Sequence, residues 1–194
     1  MTAMKNTPAS SAQPHRFPQN HTFSGEMPPE VFNLAQYCLA DSAKKFPDKT
    51  ALVVVNDIEA PTDAAETWTY GDLETAVRAI AAGLLNEGLS PGDRIMIRLP
   101  NTSDYALLFF GAIAAGLVPL PASAQLTKDE AEFLMQDSGA RAVVADVTMQ
   151  IEHGDARLIT SDDIQRFKSH PPLASYAPTK ANDPAYLVYM SGTS

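Results

Sequence analysis

Helix start and stop signals that alternate with short β-branched runs constrain this chain more than anything else in it. Leu73, Val77, Ile80, Leu84 and Leu85 recur at helical spacing behind Thr69-Tyr70-Gly71-Asp72, a capping-box pattern with Asp in place of Glu or Gln. Gly88 stands where that helix would close. Thr127-Lys128-Asp129-Glu130 is a full capping box for a helix to Asp137, stopped by Gly139. Pro100 to Asp104 caps a helix from Tyr105 to about Ala115 that is apolar all round, and so expected to be central; Gly116 ends it. Asn33, with Gln36 as reciprocal partner, caps a first helix with Leu34, Tyr37, Cys38 and Phe46 on its apolar face and Pro47 as its stop.

Strands fall between these helices. Ala51 to Val55 and Thr67 to Thr69 predict a hairpin with a long polar loop. Arg94 to Leu99 alternates, with Ile95, Ile97 and Leu99 on one side and Arg94, Met96 and Arg98 on the other. It reads as a half-buried strand whose arginines form a solvated or subunit face. Val118 to Pro121 is extended, its prolines suiting a sheet edge or a strand end. Ala142 to Ala145 is a continuous buried run, and Leu158 to Thr160 is a weaker strand before a short helix, Asp162 to Phe167. Strand and helix in alternation predict an α/β fold with a largely parallel sheet.

Residues 1–29 are rich in Pro, Ser, Gln and Asn without periodicity and are expected to be a disordered tail, leaving 30–194 as one α/β unit with a linker at 168–182. A net charge of −9 argues against nucleic-acid partners and anionic membrane surfaces, both of which want basic patches. The run from Ala106 to Ala122 is short for a bilayer span and is broken by glycine and proline, so no integral membrane segment is expected. The absence of an apolar N-terminal run and the single cysteine, Cys38, favour a cytoplasmic location.

The usual chemical signatures are absent: the sequence has no G-x-G-x-x-G, no G-x-x-x-x-G-K-[ST] and no G-x-S-x-G. His15, His21, His153 and His170 lack metal-ligand spacing, and Asp162-Asp163 reads as a helix cap. No catalytic residue and no metal ligand is assigned. What remains is the end of the chain. Pro184 precedes an apolar strand, Tyr186 to Tyr189, and then Ser191-Gly192-Thr193-Ser194 supplies hydroxyls and a glycine whose backbone can curl around an anion. Ligands of α/β sheets gather at the carboxyl ends of strands, which favours this loop over an ordinary surface turn.

Tyr189-Met190-Ser191-Gly192-Thr193-Ser194 resembles the opening of the phosphate-binding loop of the adenylate-forming superfamily, Tyr-Thr-Ser-Gly-Thr-Thr-Gly-x-Pro-Lys. That superfamily holds acyl-CoA synthetases, nonribosomal peptide adenylation domains and beetle luciferases. Phe46 to Leu52, Thr67-Trp68-Thr69-Tyr70-Gly71-Asp72-Leu73, and the stretch from Gly88 to Val118 with Pro91-Gly92-Asp93-Arg94 and Asn101 match in the same order. The likeness covers about residues 31 to 194, the opening part of the large N-terminal domain, and breaks off inside the loop.

The resemblance implies an AMP-forming acid–thiol ligase. A carboxylate attacks the α-phosphate of ATP to give an acyl-adenylate and pyrophosphate, and a thiol then displaces AMP. The implied small molecules are a fatty or aromatic carboxylic acid, ATP with Mg²⁺, and coenzyme A. Ser191, Gly192, Thr193 and Ser194 are the implied phosphate-binding residues, since a highly charged leaving group needs N–H and hydroxyl donors around it. Met190 departs from the family pattern, where a hydroxyl residue is usual. The segment alone is expected to be inactive. The alternative is a non-catalytic α/β module that scaffolds a partner or forms a homodimer.

Overall fold

A computed structural model describes residues 27–57, 59, 61, 64–146, 148–149 and 151–190. In chain order the elements are α1 (Leu34–Lys45), β1 (Thr50–Val54), β2 (Glu66–Thr69), α2 (Tyr70–Asn86), β3 (Arg94–Arg98) and α3 (Ser103–Ala114), then β4 (Val118–Ala122), α4 (Lys128–Ser138), β5 (Ala142–Ala145), β6 (Arg157–Ile159) and α5 (Ser161–Lys168). Of the expected tail, only Met27–Pro29 falls within the described residues, and it is exposed.

Strands joined through helices must lie parallel, because a crossover returns the chain to its starting end. β3, β4 and β5, joined through α3 and α4, form with β6 one parallel sheet in the order β4-β3-β5-β6, while β1 and β2 pair antiparallel as a separate hairpin. Ile95, Ile97, Ala142, Val144 and Ile159 face a core closed by α1, α2, α3 and α5. On the opposite face Met96, Leu120, Val143 and Ala145 pack against Ala131 and Met135 of α4. The half-buried reading of β3 is therefore corrected: every residue from Ile95 to Arg98 is buried, as a central parallel strand covered on both faces must be.

Two helix contacts depend on missing side chains. A Cβ at Gly111 of α3 would stand 2.6 Å from Ile80 Cγ2 of α2, and one at Gly83 would stand 2.4 Å from Phe167 Cγ of α5. Glycine at these positions lets α3 and α5 lie close on α2. Polar bonds add to that packing. Glu87, at the end of α2, takes Arg157 at 2.7 Å and Arg166 at 2.8 Å, joining α2 to β6 and α5. Burial disfavours ionisation of Glu87, but hydrogen bonds from Arg166 and Arg157 outweigh it and hold the carboxyl below its ordinary range.

The helix ends follow their sequence signals closely. Thr127 and Glu130 form the complete capping box, and Gly139 adopts the left-handed conformation at φ 64°. Thr160 and Asp163 form a second complete box, with Asp163 in the capping role expected of the acidic pair. Thr69 accepts from the Asp72 N–H, but Asp72 reaches only the Thr69 hydroxyl, so this box is half made. α3 begins at Ser103 with Thr102 as its cap residue and no capping bond from the Thr102 side chain. It is not buried all round, since Tyr105, Phe109 and Phe110 are half-buried.

α1 needs the largest correction. Its buried residues are Ala35 and Leu39, whereas Tyr37, Cys38 and Phe46 are exposed. Asn33 sets that rotation. Its Oδ1 accepts from Ala35 and Gln36 N–H, while its Nδ2 donates to Ile113 O at 2.8 Å and Ala177 O at 3.1 Å. Gln36 contributes its backbone N–H rather than a reciprocal side-chain bond.

Candidate functional site

Ser191, Gly192, Thr193 and Ser194, the phosphate-binding residues read from the sequence, lie outside the described residues. The segment that precedes them does not. Residues 168–182, expected as a linker, are instead pinned at several points beyond the end of α5 at Lys168. The Tyr176 hydroxyl donates to Glu74 Oε1 at 2.9 Å, and Arg78 donates to Leu173 O at 2.6 Å. Burial, then the bond to Glu74, raise the Tyr176 phenol well above its ordinary value. Ala177 N–H donates to Ala114 O at the end of α3, and Thr179 exchanges bonds with Phe32 through its carbonyl and its hydroxyl. Ala181 N–H reaches Glu30 O, and the Asp183 carboxylate accepts from Lys180 N–H. These bonds hold the approach to the terminal segment against α1, α2 and α3.

The terminal segment itself differs from the expected buried strand. Leu187 N–H donates to Pro119 O at 3.0 Å, which sets the chain beside β4. Proline has no N–H, so Pro119 and Pro121 can accept along this edge but cannot donate back. An alternating ladder cannot form, and Tyr186–Met190 stays extended without strand pairing. Its side chains alternate all the same. Leu187 and Tyr189 are half-buried against the Met96 and Leu120 face, while Tyr186, Val188 and Met190 are exposed. The Tyr186 ring meets Phe109 of α3 at 5.7 Å between centroids. The Tyr189 hydroxyl donates to the Asp137 carboxylate near the end of α4. Desolvation and that bond push the Tyr189 phenol up to about 12, against the lowering charge of Arg94. Met190, which stands where the family pattern has a hydroxyl residue, is 84% exposed.

Arg98 is the residue that the sequence reading misplaced. Arg94 is exposed, as expected, but Arg98 is 6% exposed and lies inside the α4 side of the sheet. Its Nη2 donates to Leu126 O at 2.5 Å, and its Nε and Nη1 have no hydrogen-bond partner among the described residues. The signal that could have found it was the strand's place. With helical patterns on both sides in sequence, a central parallel strand has no solvated face to give an arginine. Of the histidines set aside, His15 and His21 lie outside the described residues. His153 Nδ1 meets Ala156 O at 2.8 Å and His170 sits near Asn86, with no group of metal-ligating side chains among the described residues. No helix among them is long and apolar enough to cross a membrane.

The sequence matches the family of AMP-binding enzymes over residues 39–194. It is 31% identical over 147 residues to a 4-hydroxybenzoate–CoA/benzoate–CoA ligase of Rhodopseudomonas palustris, covering 68% of this chain and 27% of that protein. It is 26% identical over 155 residues to syringomycin synthase SyrB1 of Pseudomonas syringae pv. syringae, covering 79% of this chain and 24% of that protein. Among solved structures it is similar to VinN in complex with L-aspartate, with a TM-score of 0.71 and 27% identity, over 84% of this chain and 46% of that one. The N-terminal subdomain of NpsA from Klebsiella oxytoca shares the fold at a TM-score of 0.71 and 20% identity, over 84% of this chain and 39% of that one. The chain spans about a quarter of the length of these two curated relatives.

Proposed function

The chain belongs to the family of AMP-binding enzymes, and from that premise we propose that it is the N-terminal part of an ATP-dependent carboxylic acid–CoA ligase. Its substrate class is a fatty or aromatic acid. The observation that carries this reading is the family match, which runs from residue 39 to residue 194 and so takes in the hydroxyl-rich loop. Likeness to a benzoate-type CoA ligase over 68% of this chain favours the CoA acceptor and an aromatic acid.

ATP supplies the adenylyl group to the carboxylate, and its β- and γ-phosphates leave as pyrophosphate as the bond to the α-phosphorus breaks. The part of this chain is to present Ser191, Thr193 and Ser194 hydroxyls and the Gly192 backbone to those phosphates, with Mg²⁺ sharing the charge. The pinned approach from Leu173 to Leu187 supports this reading, because it holds the chain that leads to those residues. A loop tethered in advance gives up less conformational entropy when it closes on an anion. The rest of the reaction, including acyl recognition and thiol transfer, falls to parts of the relatives that this chain does not span. On this reading the 194-residue segment alone is expected to be inactive.

The test is ATP–pyrophosphate exchange with a panel of benzoates and fatty acids, on a protein that extends beyond Ser194 and on the 194-residue chain. Acid-dependent exchange by the longer protein only, lost in Ser191→Ala and Thr193→Ala, is the expected result. Exchange by the short chain would overturn its assignment as an inactive part. A longer protein that exchanges with no acid would overturn the ligase. The similarity to SyrB1 and VinN supports a second reading, an adenylation domain that loads a carrier protein. Product analysis separates the two readings: coenzyme A accepts the acyl group in the first and only a carrier thiol does so in the second.

A further inference from the structure

The chain arrives at Met190 with little help from its backbone. Leu187 N–H donates to Pro119 O, and among the described residues no backbone hydrogen bond holds Val188, Tyr189 or Met190. Met190 is exposed, so Tyr189 is the last described side chain seated on the body of the protein before Ser191. Its ring is half-buried with Leu187 against the cluster of Met96, Leu120 and Met135. Its hydroxyl donates to the carboxylate of Asp137. Held at ring and hydroxyl together, Tyr189 cannot turn without giving up one of the two.

Asp137 stands in a poor place for an acid. It is next to last in α4, where the carbonyl end of the helix dipole disfavours negative charge, and the last turn has no basic residue of its own. Groups from elsewhere offset this. Arg94 of β3 donates through Nη1 to Ser138 O and brings a cation to the same helix end. Asp137 makes no ion pair among the described residues, so the group that engages its carboxylate directly is the Tyr189 hydroxyl. Desolvation and this bond raise the Tyr189 phenol, which therefore stays protonated and donating at neutral pH.

We propose that Asp137 is a positioning residue for the phosphate-binding residues Ser191 to Ser194, acting through Tyr189. This rests on reading those residues as the phosphate site of a ligase. Asp137 touches no phosphate in that role. It restricts the point from which the hydroxyl-rich stretch sets out, so less ordering is left to the moment of binding. The sign of the effect separates this role from simple electrostatics. A carboxylate near phosphates repels them, so on charge alone its removal would tighten ATP binding. Loss of positioning weakens it.

ATP–pyrophosphate exchange on a protein that extends beyond Ser194 reads this when KM for ATP and for pyrophosphate is separated from kcat. Asp137→Ala is expected to raise both KM values about threefold to tenfold with a smaller change in kcat, as the loss of one charge-assisted bond at a partly exposed site requires. Asp137→Asn keeps an acceptor for the hydroxyl and should recover most of that loss. Tyr189→Phe should match Asp137→Ala, and the double variant should be no worse than either, because both break one contact. Glu130→Ala breaks the capping box at the other end of α4 and controls for helix stability; it should leave KM unchanged. A KM for ATP that stays or falls in Asp137→Ala, or losses that add in the double variant, would overturn the positioning role and leave the ligase standing. A parent protein without acid-dependent exchange would instead remove the ligase. The hold on the chain is then read in the 194-residue protein, where amide hydrogen exchange from Met190 to Thr193 should quicken in Asp137→Ala but not in Asp137→Asn. Equal rates in all three proteins would refute it.

Discussion

Gly83 offers a sharp test of how α5 is held, because two principles give opposite signs there. Gly83 lies in the interior of α2, and alanine in a helix interior is favoured over glycine by about 1 kcal/mol. On propensity alone Gly83→Ala should stabilise the protein. The structure says otherwise. An added Cβ would stand 2.4, 2.5 and 2.6 Å from Phe167 Cγ, Cδ1 and Cβ, where carbon atoms prefer about 3.5–4.0 Å. Phe167 is fully buried, so its ring cannot swing away into solvent. The helices must part by roughly 1 Å, and overpacking of that order costs about 1–3 kcal/mol. Subtracting the propensity gain leaves a net loss of up to about 2 kcal/mol. Urea unfolding followed by circular dichroism reads it as a lower midpoint at unchanged slope. The same substitution in a Phe167→Leu background, where the ring is gone, should become neutral or stabilising, a coupling of about 1–3 kcal/mol. A Gly83→Ala protein more stable than the parent, or a loss of equal size in both backgrounds, would refute the contact.

Asn33→Asp keeps the cap oxygen but replaces the donors to Ile113 O and Ala177 O with a carboxylate facing two carbonyls, in a residue only 4% exposed. It should lower stability by about 2–4 kcal/mol in urea unfolding, and a loss under about 1 kcal/mol would contradict the tether. The Glu87 carboxyl is held below its ordinary range, so its share of stability is full above the unfolded value and is lost as pH falls through the folded one. Glu87→Gln should therefore cost stability at neutral pH and flatten the decline on acidification, read from melting temperature against pH. An unchanged acid slope would remove Glu87 from the account. In alkaline absorbance titration the tyrosine signal near pH 12 should be missing from Tyr189→Phe and should move down in Asp137→Asn. Its persistence in both would dissociate Tyr189 from Asp137.

Most of the scaffold was legible because caps are local. Thr127, Glu130 and Gly139 lie within one helix of each other, and each satisfies backbone groups that its neighbours leave open. What was not legible depended on which surfaces meet. The rotation of α1 is set by Asn33 bonding to Ile113 and Ala177, residues far along the chain, so a choice between Ala35/Leu39 and Tyr37/Cys38 had no local answer. Arg98 shows the same limit from the other side. An arginine on an alternating strand reads as solvated unless the covering helix, here α4, is known to lie over that face.

The terminal segment joins these two kinds of information. Prolines in β4 were readable as marks of an edge, and the edge is where they stand, since β4 is the first strand of the sheet. Their consequence was not readable. An edge with carbonyls but no donors at Pro119 and Pro121 accepts one bond from Leu187 and gives none back, so the chain that runs toward the hydroxyl loop is aligned by the sheet without joining it. Its position rests instead on side chains: Tyr189 on Asp137, Tyr186 on Phe109, and behind them the pinned stretch through Ala177 and Tyr176. Backbone ladders fix a strand more firmly than isolated bonds do, because they act together over many residues. A segment held at a few points can shift by small amounts without breaking the sheet. The two prolines are the sequence feature that leaves it so attached.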